Sequence, residues 1–118
     1  MTEIERFTGR SAGRNRAVAY GDLVFTVGTA EDVSHTVAGQ TRAALARIER
    51  NLLDAGSDKN RLLSATVYLT DISAKAEMDE QWNAWIGDDA ANWPQRACVQ
   101  AALASDTLVE ITVVAARS

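Results

Sequence analysis

Segments with helical apolar spacing alternate with apolar extended runs along this chain, and that alternation restricts it to a sheet with helices packed on it. From about Thr36 to Ala55, Thr41, Leu45, Ile48, Leu52 and Ala55 recur every three or four residues and form one apolar stripe, and Gly56-Ser57 supplies a stop. A second helix is expected over roughly residues 74–86, with Met78, Trp82, Trp85 and Ile86 inward and Asp71 and Ser73 as N-cap candidates. Extended runs are expected at residues 17–20, 23–27 and 62–70, with an edge strand around Ile4 and Phe7. In the 62–70 run, Leu63, Ala65, Val67 and Leu69 are assigned to one face.

The chain closes on two more apolar runs, Asn92–Leu103 and Leu108–Ala115, separated by Ala104-Ser105-Asp106-Thr107. That short polar break reads as the loop of an antiparallel hairpin. The expected class is α/β (α+β): a mixed six-stranded sheet with two helices on one face. The other face is left bare, and apolar strand residues such as Val24, Ala65 and Val113 on one parity or the other predict burial against further copies of the chain.

A chain of 118 residues, 47% hydrophobic and 24% charged, is expected to form one globular domain over residues 1–118. The formal charge of −4 argues against nucleic acid as a partner. Ten of the twelve basic residues are arginine, which suits carboxylate recognition but is equally produced by GC-rich coding. One cysteine allows no internal disulfide and suits a reducing compartment. No apolar leader or long apolar stretch is visible, so a cytoplasmic protein without membrane contact is expected. One histidine and one cysteine cannot make a zinc site, and no Gly-rich nucleotide loop or serine elbow is present, so neither metal nor cofactor is expected.

Two charged residues interrupt the terminal apolar runs. Arg96 follows Trp93-Pro94-Gln95 at a strand start, and is either a surface or interface ion-pair partner or a planar fork for a substrate carboxylate. Glu110 lies between Val109 and Ile111, and is either a solvated strand carboxylate or a general base for water, with its neighbours expected to desolvate it and raise its pKa. Cys98 shares a face with Arg96 and reads as a small hydrophobe rather than a nucleophile. His35 reads as a helix-entry or solvent-exposed residue rather than a catalytic one. At Gly28-Thr29 the missing side chain lets a ligand approach the backbone.

Phe25-Thr26-Val27-Gly28-Thr29, Gln40-Thr41, Asn51 to Ser57, Ala65 to Asp71, Met78 to Trp82, Pro94 to Val99 and Val109-Glu110-Ile111, taken together, resemble the Rid family (YjgF/YER/UK, endoribonuclease L-PSP-like) of enamine/imine deaminases. The resemblance spans nearly the whole chain, and its most specific part is the proline-any-arginine-any-cysteine-valine run joined to valine-glutamate-isoleucine. It implies a chorismate-mutase-like fold in a homotrimer, with the sheets forming a central barrel and clefts between subunits. It also implies that Arg96 grips a substrate carboxylate, that backbone amides at Gly28 and Cys98 assist, and that Glu110 orients the hydrolytic water. Trp93 stands at an aromatic wall position, and Thr29 adjoins the cleft glycine. The chain departs from the best-known branch where Arg14 stands near a cleft tyrosine and Val27 replaces a serine.

The activity so implied is cofactor-independent hydrolysis of 2-imino and enamine acids of the 2-aminoacrylate type to 2-keto acids and ammonia. The rival from another class is a non-catalytic sensor of small carboxylates, or a chaperone-like protein. Ribonuclease activity, attached to the family by name, fits poorly with an acidic chain lacking a basic, base-stacking groove.

Overall fold

The structure is a computed structural model that describes residues 3–30 and 34–117. Six strands are formed: β1 (Ile4–Phe7), β2 (Ala17–Tyr20), β3 (Leu23–Thr29), β4 (Leu62–Leu69), β5 (Gln95–Gln100) and β6 (Val109–Ala116). Helices α1 (Val37–Asp54) and α2 (Lys75–Ile86) separate β3 from β4 and β4 from β5. The sheet order is β1-β2-β3-β6-β4-β5, antiparallel throughout except for the β4–β5 pair.

The expected hairpin between the last two strands does not form, because β4 lies between them. The cause is α2: it returns the chain over the sheet, so that β5 enters beside β4 in parallel, as a crossover helix requires. The connection from β5 to β6 then crosses the end of β4. Ala101 N–H donates to Leu69 O (2.9 Å), and Thr70 N–H donates to Leu108 O (3.2 Å). β3 and β4, joined by α1, are parallel to each other, and β6 fills the gap between them. Burial explains which run became central. β6 alternates buried and half-buried residues along its length, whereas β5 is half-buried at best and occupies the margin.

Helix α1 forms where the stripe placed it. Thr41, Leu45, Ile48, Leu52 and Ala55 are all buried against the sheet. At its start Thr36 Oγ1 accepts from Gly39 N–H (3.0 Å). At its end Gly56 adopts φ +86°, and the N–H groups of Gly56 and Ser57 return to Leu53 O and Leu52 O, closing the last turn. Asp71 caps a short 3-10 turn, Ile72–Ala74, and not α2 itself, whose N-cap is Ala74, with no side-chain cap hydrogen bond.

Both helices cover the same face, as expected. Val24, Ala65 and Val113 are on that covered face and are buried, so they do not line the bare one. The open face instead presents Tyr20, Leu23 (38% exposed), Phe25 (43%) and Val99 (40%), with half-buried Val18, Val27, Thr112 and Val114 among them. Leu63 is out of phase with Ala65, Val67 and Leu69, because the register of β4 against β6 shifts between Leu62 and Ser64. Among the described residues, no helix is long and apolar enough to cross a membrane.

Candidate functional site

The residues singled out in the sequence fall into two groups. The first surrounds the end of β3 and the start of β6. Thr29 and Glu110 are cross-strand neighbours there and share the open face. Together with Arg10, Arg14, Arg16 and Arg47 they line a cleft of about 630 Å³. The 8–16 loop forms one wall and is held by polar contacts rather than apolar packing. Arg16 donates to Asn51 Oδ1 (2.8 Å), pairs with Asp54 (2.9 Å) and reaches Thr8 O (3.2 Å). Thr26 Oγ1 donates to Arg16 O (2.6 Å) and accepts from Asn51 Nδ2 (3.0 Å). Asn51 is buried with its amide satisfied on both sides, so it fixes this loop against α1.

Arg16 is therefore a strut. Arg14 and Arg10 are exposed, and neither has a hydrogen-bond or ion-pair partner among the described residues. Glu110 is half-buried, but Val109 and Ile111 do not surround it. They point through the sheet into the core, and the other charged residues lining the cleft with it are arginines. Gly28 faces the helices: a Cβ there would come within 2.5 Å of Ala44 O and 2.9 Å of Ile48 Cγ1. The close approach that requires glycine at this position is that of α1.

The second group lies on β5 and α2, on the helix-covered face. Arg96 Nη2 donates to Asp79 Oδ1 (2.6 Å), Nη1 approaches Met78 Sδ (3.8 Å), and the guanidinium stacks over Trp82 at 5.2 Å. Its side chain is 18% exposed. Asp79 also pairs with Lys75 (2.7 Å), so two cations share one carboxylate and one positive charge is left over. Burial pushes the Asp79 carboxyl up, but hydrogen bonds and charge from Lys75 and Arg96 outweigh it and hold the group below the ordinary aspartate range. Cys98, on the same face, is half-buried against the core. Burial pushes its thiol up against the opposing charges of Arg96 and Lys75, which keeps it protonated at neutral pH. Trp93 is 53% exposed, and its Nε1–H donates to Gly87 O (2.9 Å).

These groups do not meet within one chain. β6, which carries Glu110, is two strand spacings from β5, roughly 10 Å, and β3 is three. Glu110 faces the open side of the sheet, and Arg96 the covered side. Asp79, Arg10 and Arg47 were not among the residues proposed from sequence. The signals present were the Lys75/Asp79 i,i+4 spacing and the basic composition of the 8–16 loop. Among the described residues, no group of three or more His, Cys, Asp or Glu side chains is placed to hold a metal ion.

The family model described as Endoribonuclease L-PSP matches residues 10–117. The crystal structure of NMB1025 from Neisseria meningitidis, a member of the YjgF protein family, superposes with a TM-score of 0.90 at 38% identity, covering 98% of this chain and 96% of that one. A RutC family protein of Haemophilus ducreyi is 35% identical over 101 residues, 85% of each chain. A protein of Escherichia coli K12 named "Putative reactive intermediate deaminase TdcF" is 28% identical over 125 residues, covering 100% of this chain and 97% of its own. With a family model spanning nearly its whole length and a YjgF protein sharing its complete fold, the chain belongs to the Rid/YjgF family, the family of the Endoribonuclease L-PSP model.

Proposed function

We propose that the protein hydrolyses 2-imino and enamine acids of the 2-aminoacrylate type to 2-keto acids and ammonia, without a cofactor, in clefts that two copies build together. The observation that carries this reading is the division of the site residues. A carboxylate-binding half (Arg96) and a water-activating half (Glu110) lie in separate parts of one chain and need a second copy to converge. A homotrimer with its sheets turned inward supplies that convergence. It also covers Leu23, Phe25 and Val99, an apolar surface of the kind that marks an interface.

In this mechanism the substrate carboxylate completes the charge balance of the Lys75–Asp79–Arg96 cluster. Trp82 and Asp79 already fix the guanidinium, so little side-chain freedom is lost on binding. Backbone N–H groups near Gly28 and Cys98 orient the acid, and Trp93 and Thr29 bound the pocket. Glu110 accepts a proton from water as its oxygen bonds to the imine carbon. It then returns that proton to nitrogen, giving a carbinolamine; the hydroxyl proton passes to nitrogen in turn, and as C=O forms the C–N bond breaks with its electron pair leaving on ammonia. The TdcF name supports this reaction class, and cytoplasmic imines released by other enzymes are the substrates it fits.

The test is an assay in which an amino-acid oxidase generates 2-iminopropanoate and its disappearance is followed. Wild type should accelerate hydrolysis, and Arg96→Ala should lose at least about 100-fold while keeping the oligomer, since loss of positioning alone has that scale. Wild-type rates in the variant would remove the mechanism. Carboxylate binding with no acceleration by wild type would leave a sensor instead.

A further inference from the structure

We propose that the arginine-lined cleft is a subsite for a second substrate carboxylate, so that 2-imino dicarboxylic acids are the preferred substrates; this rests on the deaminase reading and deepens it. Among the described residues, four arginines line the cleft with one carboxylate residue, Glu110. Arg16 is committed to Asp54 and Asn51 and serves as a rigid wall. Arg10 and Arg14, on the 8–16 loop, line the cleft without partners among the described residues, so their donors are uncommitted.

A hydrocarbon side chain gains little from such a lining, because it strips water from guanidinium groups and returns no hydrogen bond. A carboxylate two or three bonds beyond the imine carbon returns paired hydrogen bonds and opposite charge. With its first carboxylate on Arg96 of an adjoining copy and its second against Arg10 and Arg14, the substrate would present its imine carbon to Glu110. The reaction is unchanged. Water oxygen bonds to carbon, the C–N bond breaks, ammonia leaves with the electron pair, and a 2-oxo dicarboxylate remains, with no oxidation or reduction.

The test compares imines generated by oxidases from acidic and from small neutral amino acids. Wild type should show kcat/KM at least about 10-fold higher for the dicarboxylic imine, and the double variant R10Q/R14Q should lower that ratio by about 10-fold or more, the scale of one lost charge-assisted contact. A wild-type ratio at or below one, or a variant that slows both substrates equally, overturns the subsite. Thermal midpoints of both proteins check that the variant folds.

Calorimetric titration with a stable 2-oxo dicarboxylate, a 2-oxo monocarboxylate and inorganic phosphate supplies a readout independent of turnover. Tighter dicarboxylate binding that the double variant abolishes sustains the subsite even if no imine is hydrolysed, in which case the deaminase reading alone fails. Hydrolysis of 2-iminopropanoate without dicarboxylate preference in either measurement keeps the deaminase and removes the subsite. Phosphate binding more tightly than the dicarboxylate also removes it.

Discussion

The margin of β5 and the cleft beside β3 both present arginine, but in opposite conditions. Arg96 is held: a carboxylate, a thioether and an indole ring contact its guanidinium, and its side chain is mostly withdrawn from water. Arg10 and Arg14 are exposed and unpartnered among the described residues. A pre-paired charge loses little entropy on meeting a ligand and acts as a fixed reference point. Unpaired charges on a loop contribute selectivity and attraction, and their strength falls with salt. Under the proposed reaction, positioning would fall to the β5 margin and discrimination to the cleft.

The largest effect that can break this assignment comes from Glu110→Gln. It keeps the shape of the cleft and removes the carboxylate proposed as base, so imine hydrolysis should fall by about 10²–10⁴-fold in the oxidase-coupled assay. A loss of only a few-fold would mean that the reacting half lies elsewhere. Gly28→Ala comes next and tests the helix side of the same strand. Its new methyl meets Ala44 O and Ile48, so chemical denaturation should show a loss of about 1–3 kcal/mol, the cost of overpacking. No measurable loss would show that α1 yields at this point and that the glycine answers to a ligand after all.

Asp79→Asn sharpens the contrast with a smaller change, about 1–2 kcal/mol at pH 7, because charged hydrogen bonds from Lys75 and Arg96 are weakened together. Its pH dependence follows from the depressed folded-state pKa. The contribution of Asp79 is present in full above the unfolded value of about 3.9 and fades as pH falls through the lower folded value. Thermal midpoints of wild type and variant should converge in acid. A gap that persists below pH 2 would place the loss in packing rather than charge.

Much of the fold was legible because periodicity is local. The α1 stripe needs only residues three and four apart, and all five of its members are buried as read. Strand adjacency is not local. The runs carrying Arg96 and Glu110 are similarly apolar and close in sequence, and nothing in either one says that β4 will enter between them. The same gap explains the parity error at Val24, Ala65 and Val113: alternation separates two faces but does not say which one the helices will cover. At the site, residue types could be read but not their company. Asp79 reaches Arg96 from seventeen positions away, through a crossover helix whose placement only the tertiary structure settles. Val109 and Ile111 do not flank Glu110 in space for a simpler reason, since strand neighbours point to opposite faces.

The insertion of β6 between β3 and β4 also sets a timetable for biosynthesis. Both flanking strands leave the ribosome tens of residues before β6 does, and at a few to twenty residues per second they wait seconds for it. Through that interval both lack the strand that pairs their inner edges in the folded sheet. A nascent chain halted before residue 109 therefore cannot close its sheet, and it is the natural client for a holding chaperone or the seed of an aggregate.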